Sequence, residues 1–198
     1  MVFRNKTHTS RGEFGDSYSE NWKQRAVKLM DLFKAHEFDE GSQYQVVEYG
    51  CGAYAPFNTL FNGKNGFEVS KYDIKAWDEQ TSVIDLNSAN VLLPTTNISV
   101  FSGVLEYLND VPSILSKAIN ASDYLLVSYA FLPSALFLDE GKFLNAINNR
   151  AVSNGWRNHF TNKDLVEIIS TIGVISAIDV WNNNQSLFLI RNPKLDEL

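Results

Sequence analysis

The stretch "VVEYGCGAYAPF", Val46 to Phe57, sets an acid, Glu48, two positions before the first of two closely spaced glycines, Gly50 and Gly52. Glycines in such a turn let backbone N–H groups approach a ligand with no Cβ in the way, at the point where a helix begins. Three readings of the turn stand open: a dinucleotide loop, another kind of cofactor loop, or a plain strand-to-helix connection. A dinucleotide fingerprint needs G-x-G-x-x-G and an acid about twenty residues further on. Counted from Gly50, the last position falls on Ala55, which weakens that reading. Glu48 is more telling, because its charge repels a pyrophosphate and suits a ligand carrying an ammonium group. Cys51, between the glycines, reads as a small spacer, since no histidine lies near it in sequence to activate a thiolate.

These residues need elements to hold them. Trp22, Ala26, Leu29, Met30 and Phe33 recur at helical spacing and predict an amphipathic helix over "SYSENWKQRAVKLMDLFKAH", with Ser17 and Glu20 as a capping box. Residues 1–16 are polar and read as a loosely ordered arm. Strands are predicted at Tyr44–Glu48, Phe67–Tyr72, Ser82–Asp85, Ile98–Ser102 and Tyr124–Ser128. "DIKAWDEQT" has room for a short or irregular helix, and Asp110–Ile119 reads as a helix with Pro112 in its first turn. "TNKDLVEIISTIG" is a helix that Thr161 caps and Gly173 stops. "VISAIDVW" and "SLFLIRN", joined by "NNNQ", form an antiparallel hairpin, because four polar residues are too few for a parallel crossover. Strands alternating with helices imply a parallel sheet covered on both faces.

At this point the chain resembles the class I S-adenosylmethionine-dependent methyltransferases, whose first motif is an acid, a spacer and a run of alternating glycines. "VVEYGCGAYAPF" is similar to that motif, with Tyr54 in place of its third glycine. "VSKYDIKAW" resembles the second segment, and the resemblance implies that Asp73, followed by Ile74, holds the cofactor's ribose hydroxyls. "SVIDLNSANVLLP" resembles the third, with Asp85 implied at the adenine amine and Leu86 offering backbone contacts. "ISVFSGVLEYLNDVPSIL" is similar to the fourth strand and the helix after it, and "HFTNKDLVEIISTIGV" to the helix before the closing hairpin. The matches keep their order from about residue 45 to 191. They imply an α/β fold: a Rossmann-like three-layer α/β/α sandwich with a seven-stranded, mostly parallel sheet and a C-terminal antiparallel hairpin. S-adenosylmethionine is the implied cofactor. Glu48, Gly50, Cys51 and Gly52 would form its loop and Ser102 would bond its methionine end. Tyr18, Trp22 and Arg25 on the first helix would fold over it, the arginine meeting its carboxylate.

The acceptor side is less marked. Glu106 stands either as a carboxylate on a helix face or, by resemblance, as an acceptor-facing residue. His159 precedes a helix cap, where most histidines are structural, and is also the candidate base, since imidazole accepts a proton near neutral pH. The aromatic-rich run Tyr129–Phe160 reads as a helix on the sheet or as a lid over the acceptor.

At 198 residues the chain reads as one structural domain, with residues 1–40 as an arm and helix over the cofactor site and 41–198 as the methyltransferase-like domain. A net charge of −6 argues against a broad phosphate-binding surface, so a small molecule is expected as acceptor and nucleic acid is not. A single cysteine and the absence of metal-ligand spacing leave no expected disulfide or metal and fit a reducing cytosol. The N-terminus lacks the apolar core of a signal peptide, and no run is long enough to span a bilayer. The expected activity is methyl transfer to an oxygen or nitrogen of a small acceptor, by resemblance a metabolite or a sugar of surface polysaccharide. Two other classes stay in view: a non-catalytic cofactor- or partner-binding module on the same fold, and a nicotinamide oxidoreductase, which Glu48 and the closing hairpin disfavour.

Overall fold

The computed structural model describes residues 16–182 and 184–197. The arm expected over residues 1–16 lies outside them except for Asp16, which already belongs to the first helix, α1 (Asp16–His36). Ser17 therefore stands inside the helix, and its side chain, like that of Tyr18, lies outside the described ones.

Seven strands follow: β1 (Tyr44–Tyr49), β2 (Phe67–Asp73), β3 (Thr81–Val83), β4 (Thr96–Ser102), β5 (Ser122–Ala130), β6 (Val174–Trp181) and β7 (Gln185–Arg191). They form one sheet in the order β3-β2-β1-β4-β5-β7-β6, parallel from β3 through β5 and antiparallel at β5–β7 and β6–β7. The expected fold class is the observed one. The central strands β1 and β4 are buried along nearly their whole length, which is why they read as continuous apolar runs.

Each face of the sheet has its own core. On one, α1 brings Ala26, Leu29, Met30 and Phe33 against Val46, Val69, Ile98, Val100 and Leu126, with Phe57 of α2 (Pro56–Phe61). Phe33 is the hub, edge-on to Tyr44, Phe67 and Tyr124 at centroid distances of 5.2–6.3 Å. On the other, α3 (Val111–Ala121) and α5 (Asn162–Ser170) pack Leu115, Ala118, Leu165 and Ile169 against Tyr49, Phe101, Val127 and Phe188. Thr161 caps α5 through a reciprocal box, its Oγ1 accepting from Asp164 N while Asp164 Oδ2 accepts from Thr161 N.

Two local expectations are corrected. Strand β3 stops at Val83, so Asp85 does not end a strand. Its neighbour β2 ends at Asp73, paired with Val83, and offers no further ladder; the chain turns instead, with Asp85 Oδ1 accepting from Asn87 N. Residues 74–80 form bends and turns and no helix. Asp78 organises them, accepting from Gln80 N, Thr81 Oγ1 and the buried Lys71.

The segment after β5 is the outlier. It runs through a 3-10 turn (Ser134–Leu138), α4 (Glu140–Asn148) and a π-helical turn (Asn149–Ser153), and none of these buries a residue. It lies over the carboxyl end of the sheet and not in its core.

Candidate functional site

Parallel strands deliver their last residues to one edge of the sheet, and the crevice outside that edge is where open α/β sheets bind ligands. Glu48 is 1% exposed there. Its Oε1 accepts from Phe57 N at 3.1 Å and its Oε2 from Asn58 N at 3.0 Å, so the carboxylate caps the first turn of α2 from inside the protein. Lys71, its register neighbour on β2, adds an opposing charge on the same face. Burial outweighs these influences and pushes the Glu48 carboxyl up to about 7.

With both ends tied, the loop between β1 and α2 bulges outward. Gly50 has φ +63°, and a Cβ there would lie 2.4 Å from Val104 Cγ2, so no other residue fits without displacing the chain after β4. A Cβ on Gly52 would meet no protein atom within 4 Å, which leaves the loop's outer side open. Gly52 N donates to Asp73 Oδ2 at 2.9 Å, and Lys75 N donates to Oδ1. Asp73 is thereby fixed beside the loop, each oxygen keeping acceptor capacity. Cys51 is buried between them, and burial with the nearby Glu48 and Asp73 pushes its thiol far up, in keeping with a spacer.

Helix α1 meets this loop through Trp22 and the end of β4 through Arg25. Trp22 meets Tyr54 edge-on, centroids 5.7 Å apart. Arg25 donates from Nε to Ser102 Oγ at 2.9 Å and from Nη2 to Ser102 O at 3.0 Å. Its guanidinium lies against Gly103, where a Cβ would come within 2.6 Å of both Nη atoms. Tyr54, which departs from the glycine pattern, is thus the loop's contact with its covering helix.

On the far side of Ser102 the chain makes a 3-10 turn (Leu105–Tyr107) that carries Glu106, 2% exposed. Glu106 Oε1 accepts from Ala130 N at 2.9 Å, while Oε2 is buried with no hydrogen-bond partner among the described residues. Burial raises its carboxyl, and Arg25 and Arg150 act against that. Arg150 reaches back from the π-helical turn, donating to Ala130 O and Phe131 O, and stacks on Trp156. Asn158 clasps the same region, donating to Leu105 O and Leu108 O and accepting from Tyr129 Oη. Next to it, His159 Nδ1 is buried with no hydrogen-bond partner among the described residues, and burial together with Arg150 lowers the imidazole's affinity for a proton.

The structure therefore joins Trp22, Arg25, Glu48, Gly50, Cys51, Gly52, Asp73 and Ser102 in one contact network. Ile74, half exposed, and Leu86, buried, flank it beyond β2 and β3, with Asp85 exposed in its turn. Glu106 and His159 belong to an adjoining cluster. Sequence reading missed Lys71, Val104, Arg150 and Asn158. Lys71 was legible as a cation in the middle of an apolar strand; the others depend on contacts distant in sequence.

No family model matches the chain. It is 29% identical over 154 residues to the DNA-directed RNA polymerase subunit beta' of Oedogonium cardiacum, a stretch covering 75% of this chain and 8% of that protein. Among solved structures it is similar to a Bacillus halodurans protein assigned as a methyltransferase, with a TM-score of 0.63, 11% identity and coverage of 85% and 98% of the two chains. It is also similar to the CurJ carbon methyltransferase (TM-score 0.61, 12% identity, 93% of this chain and 58% of that one). CalO1, a methyltransferase in calicheamicin biosynthesis with S-adenosylhomocysteine bound, gives 0.55, 14% identity and coverage of 83% and 53%. The chain thus spans little more than half of CurJ and CalO1. Its fold is that of the class I methyltransferases.

The Glu48 geometry yields a pH signature. The folded chain holds the Glu48 proton up to about pH 7, whereas an unfolded glutamate releases it near ~4.3. The folded state binds the extra proton between these values, so this residue's contribution to stability falls as pH rises through the window. Denaturation of wild type and Glu48→Gln across pH 4 to 8 is expected to show the wild type losing on the order of 3 kcal/mol relative to the variant. Parallel pH profiles would contradict the burial assigned to this carboxyl.

Proposed function

We propose that the chain is an S-adenosylmethionine-dependent methyltransferase acting on an oxygen or nitrogen of a small molecule. The observation that carries this reading is the open glycine loop, stitched by Glu48 and Asp73 at the carboxyl edge of a sheet with this strand order. The residues fit the cofactor's chemistry. Asp73 has acceptor capacity for the ribose diol, Ile74 and Leu86 give apolar contact for adenine, and Asp85 accepts from its amine. Ser102 and Arg25 serve the methionine end: two guanidinium N–H groups are spent on Ser102, and the remaining ones would meet the carboxylate. Glu48, with both oxygens engaged by backbone amides, acts on the ammonium through its field. Helix α1, with Tyr18, Trp22 and Arg25, is the cover of the 1–40 segment over this site.

When bound, the cofactor supplies an electrophilic methyl on a sulfonium sulfur, which keeps the bond pair as the methyl leaves. The protein's part is to align the acceptor, exclude water and take the proton its oxygen or nitrogen loses. His159 Nδ1 is the proposed destination of that proton, with Glu106 beside it. The segment 131–160 serves as the acceptor's lid. Solved neighbours described as a carbon methyltransferase and as an enzyme of calicheamicin biosynthesis support a small-molecule acceptor. A sugar or surface-polysaccharide precursor is the acceptor class suggested by the "SGVLEYL" resemblance.

Calorimetric titration of the whole chain is expected to show binding of S-adenosylmethionine and S-adenosylhomocysteine and none of NAD. Asp73→Ala, with unchanged circular dichroism, is expected to weaken both sulfur ligands by roughly 10- to 100-fold, the loss of charge-assisted hydrogen bonds. A folded wild type that binds neither ligand would sink the reading.

For His159 the expectation concerns pH. The lowered imidazole keeps its neutral, proton-accepting form below the usual ~6.5, so the acidic limb of turnover should fall below that value. His159→Ala should reduce turnover by about 100-fold or more. Near-normal turnover in that variant would remove the residue from the mechanism.

A further inference from the structure

Three features carry unexplained chemistry or surface: a shallow groove between α1 and Trp181, the exposed apolar residues of the segment after β5, and the buried carboxyl of Glu106. The first two show nothing that identifies an occupant. Glu106 does.

It is the more exacting of the two buried glutamates. Glu48 has a backbone amide on each oxygen and Lys71 across the ladder. Glu106 has one amide on Oε1 and nothing on Oε2, though the side chain is 2% exposed. A buried carboxylate oxygen with no partner costs more than the single hydrogen bond returns. Neither arginine near it forms an ion pair within 4 Å among the described residues: Arg25 is committed to Ser102, and Arg150 to Ala130 O and Phe131 O. Lys71 stands by Glu48 and Arg150 by Glu106, with Arg25 near both, yet the outer oxygen of Glu106 has no donor of its own among the described residues, and that is the deficit.

The position of this deficit matters. Glu106 follows Ser102 by four residues, on the turn leaving β4, and is pinned to the end of β5 by Ala130. Donor-side contacts lie on β1, β2 and β4; Arg150 and His159 lie beyond β5. Glu106 stands in the interval where a transferring centre would pass from one set to the other.

We infer that Glu106 is a specificity-determining residue of the donor site, a buried carboxylate that selects the cationic centre of the ligand. This rests on the methyl-donor reading. Burial favours the protonated carboxyl in the free chain; a sulfonium beside the bare oxygen favours its ionised form, and the thioether left after transfer does not. The site is thereby built to take up the charged donor in preference to the neutral product, weakening product inhibition without any moving part.

Three probes separate charge from shape: S-adenosylmethionine, S-adenosylhomocysteine and sinefungin, which carries an ammonium group where the sulfonium stood. Their affinities are to be measured by calorimetry on wild type and on Glu106→Gln, which keeps an oxygen for Ala130 N. Circular dichroism and thermal melts check that the variant folds. The expected result is a loss of about 10-fold or more in affinity for both cationic ligands, with the S-adenosylhomocysteine affinity changed by less than about 3-fold. Glu106→Asp, charged but shorter, should keep part of the preference. Equal losses for all three ligands, as a merely structural role would give, overturn the inference, and so does a variant indistinguishable from wild type. If wild type binds none of the three, the methyl-donor reading falls, and this falls with it.

Discussion

The carboxylate of Glu48 accepts two hydrogen bonds from the amides of Phe57 and Asn58, and the shape of the ligand edge follows from that pair. A strand that ends in a buried charge must bring donors to it, and the nearest free ones are the unsatisfied N–H groups opening the next helix. Meeting them forces the chain between Tyr49 and Pro56 to fold outward as a short, tight loop. Gly50 and Gly52 supply the left-handed backbone this requires, and Ala55 accepts it at φ 37°, just before Pro56 starts the helix. Asp73 then fastens the loop from the neighbouring strand. One ionisable group thus sets the loop, the helix start and the open face together.

A second consequence concerns charge. The buried carboxyls at 48 and 106 share one cation, Arg25 of α1, which is itself held on Ser102 and pressed against Gly103, while Lys71 acts on the first and Arg150 on the second. Helix α1 is therefore more than a cover on the sheet. It carries the cation that acts on both carboxyls, and its aromatic core around Phe33 fixes where that charge sits. The Trp22–Tyr54 contact ties helix to loop at a second point. Movement of α1 would alter the loop's electrostatics as well as its exposure.

What could be read from the residues follows the range of the interactions that place them. The main strands and the closing hairpin show in local apolar runs and turns, because buried parallel strands and a four-residue polar link leave unmistakable patterns, whereas the order of the strands in the sheet does not. The residues of the loop were legible where an acid or a glycine marks the end of a strand, as at Glu48, Gly50, Gly52 and Asp73. Asp85 was placed on a strand because Val83 and Ile84 make a short apolar run before it; only the short ladder of β2 shows why it is in a turn. Tyr54 looked like an irregularity until Trp22, 32 positions earlier, was found against it. Arg150 and Asn158 sit in a polar, asparagine-rich run whose local pattern says nothing, and their roles come wholly from carbonyls on β5 and the turn after β4.

The central claim is that the loop stitched by Glu48 and Asp73 is a cofactor cradle. A crystal structure of the chain grown with S-adenosylhomocysteine tests it most directly. Density is expected on Gly50–Gly52 beneath α1, with the ribose hydroxyls on Asp73 and the amino-acid end between Ser102 and Arg25. Density elsewhere on the molecule, or Arg25 and the loop unchanged with no ligand bound at saturating concentration, would contradict it.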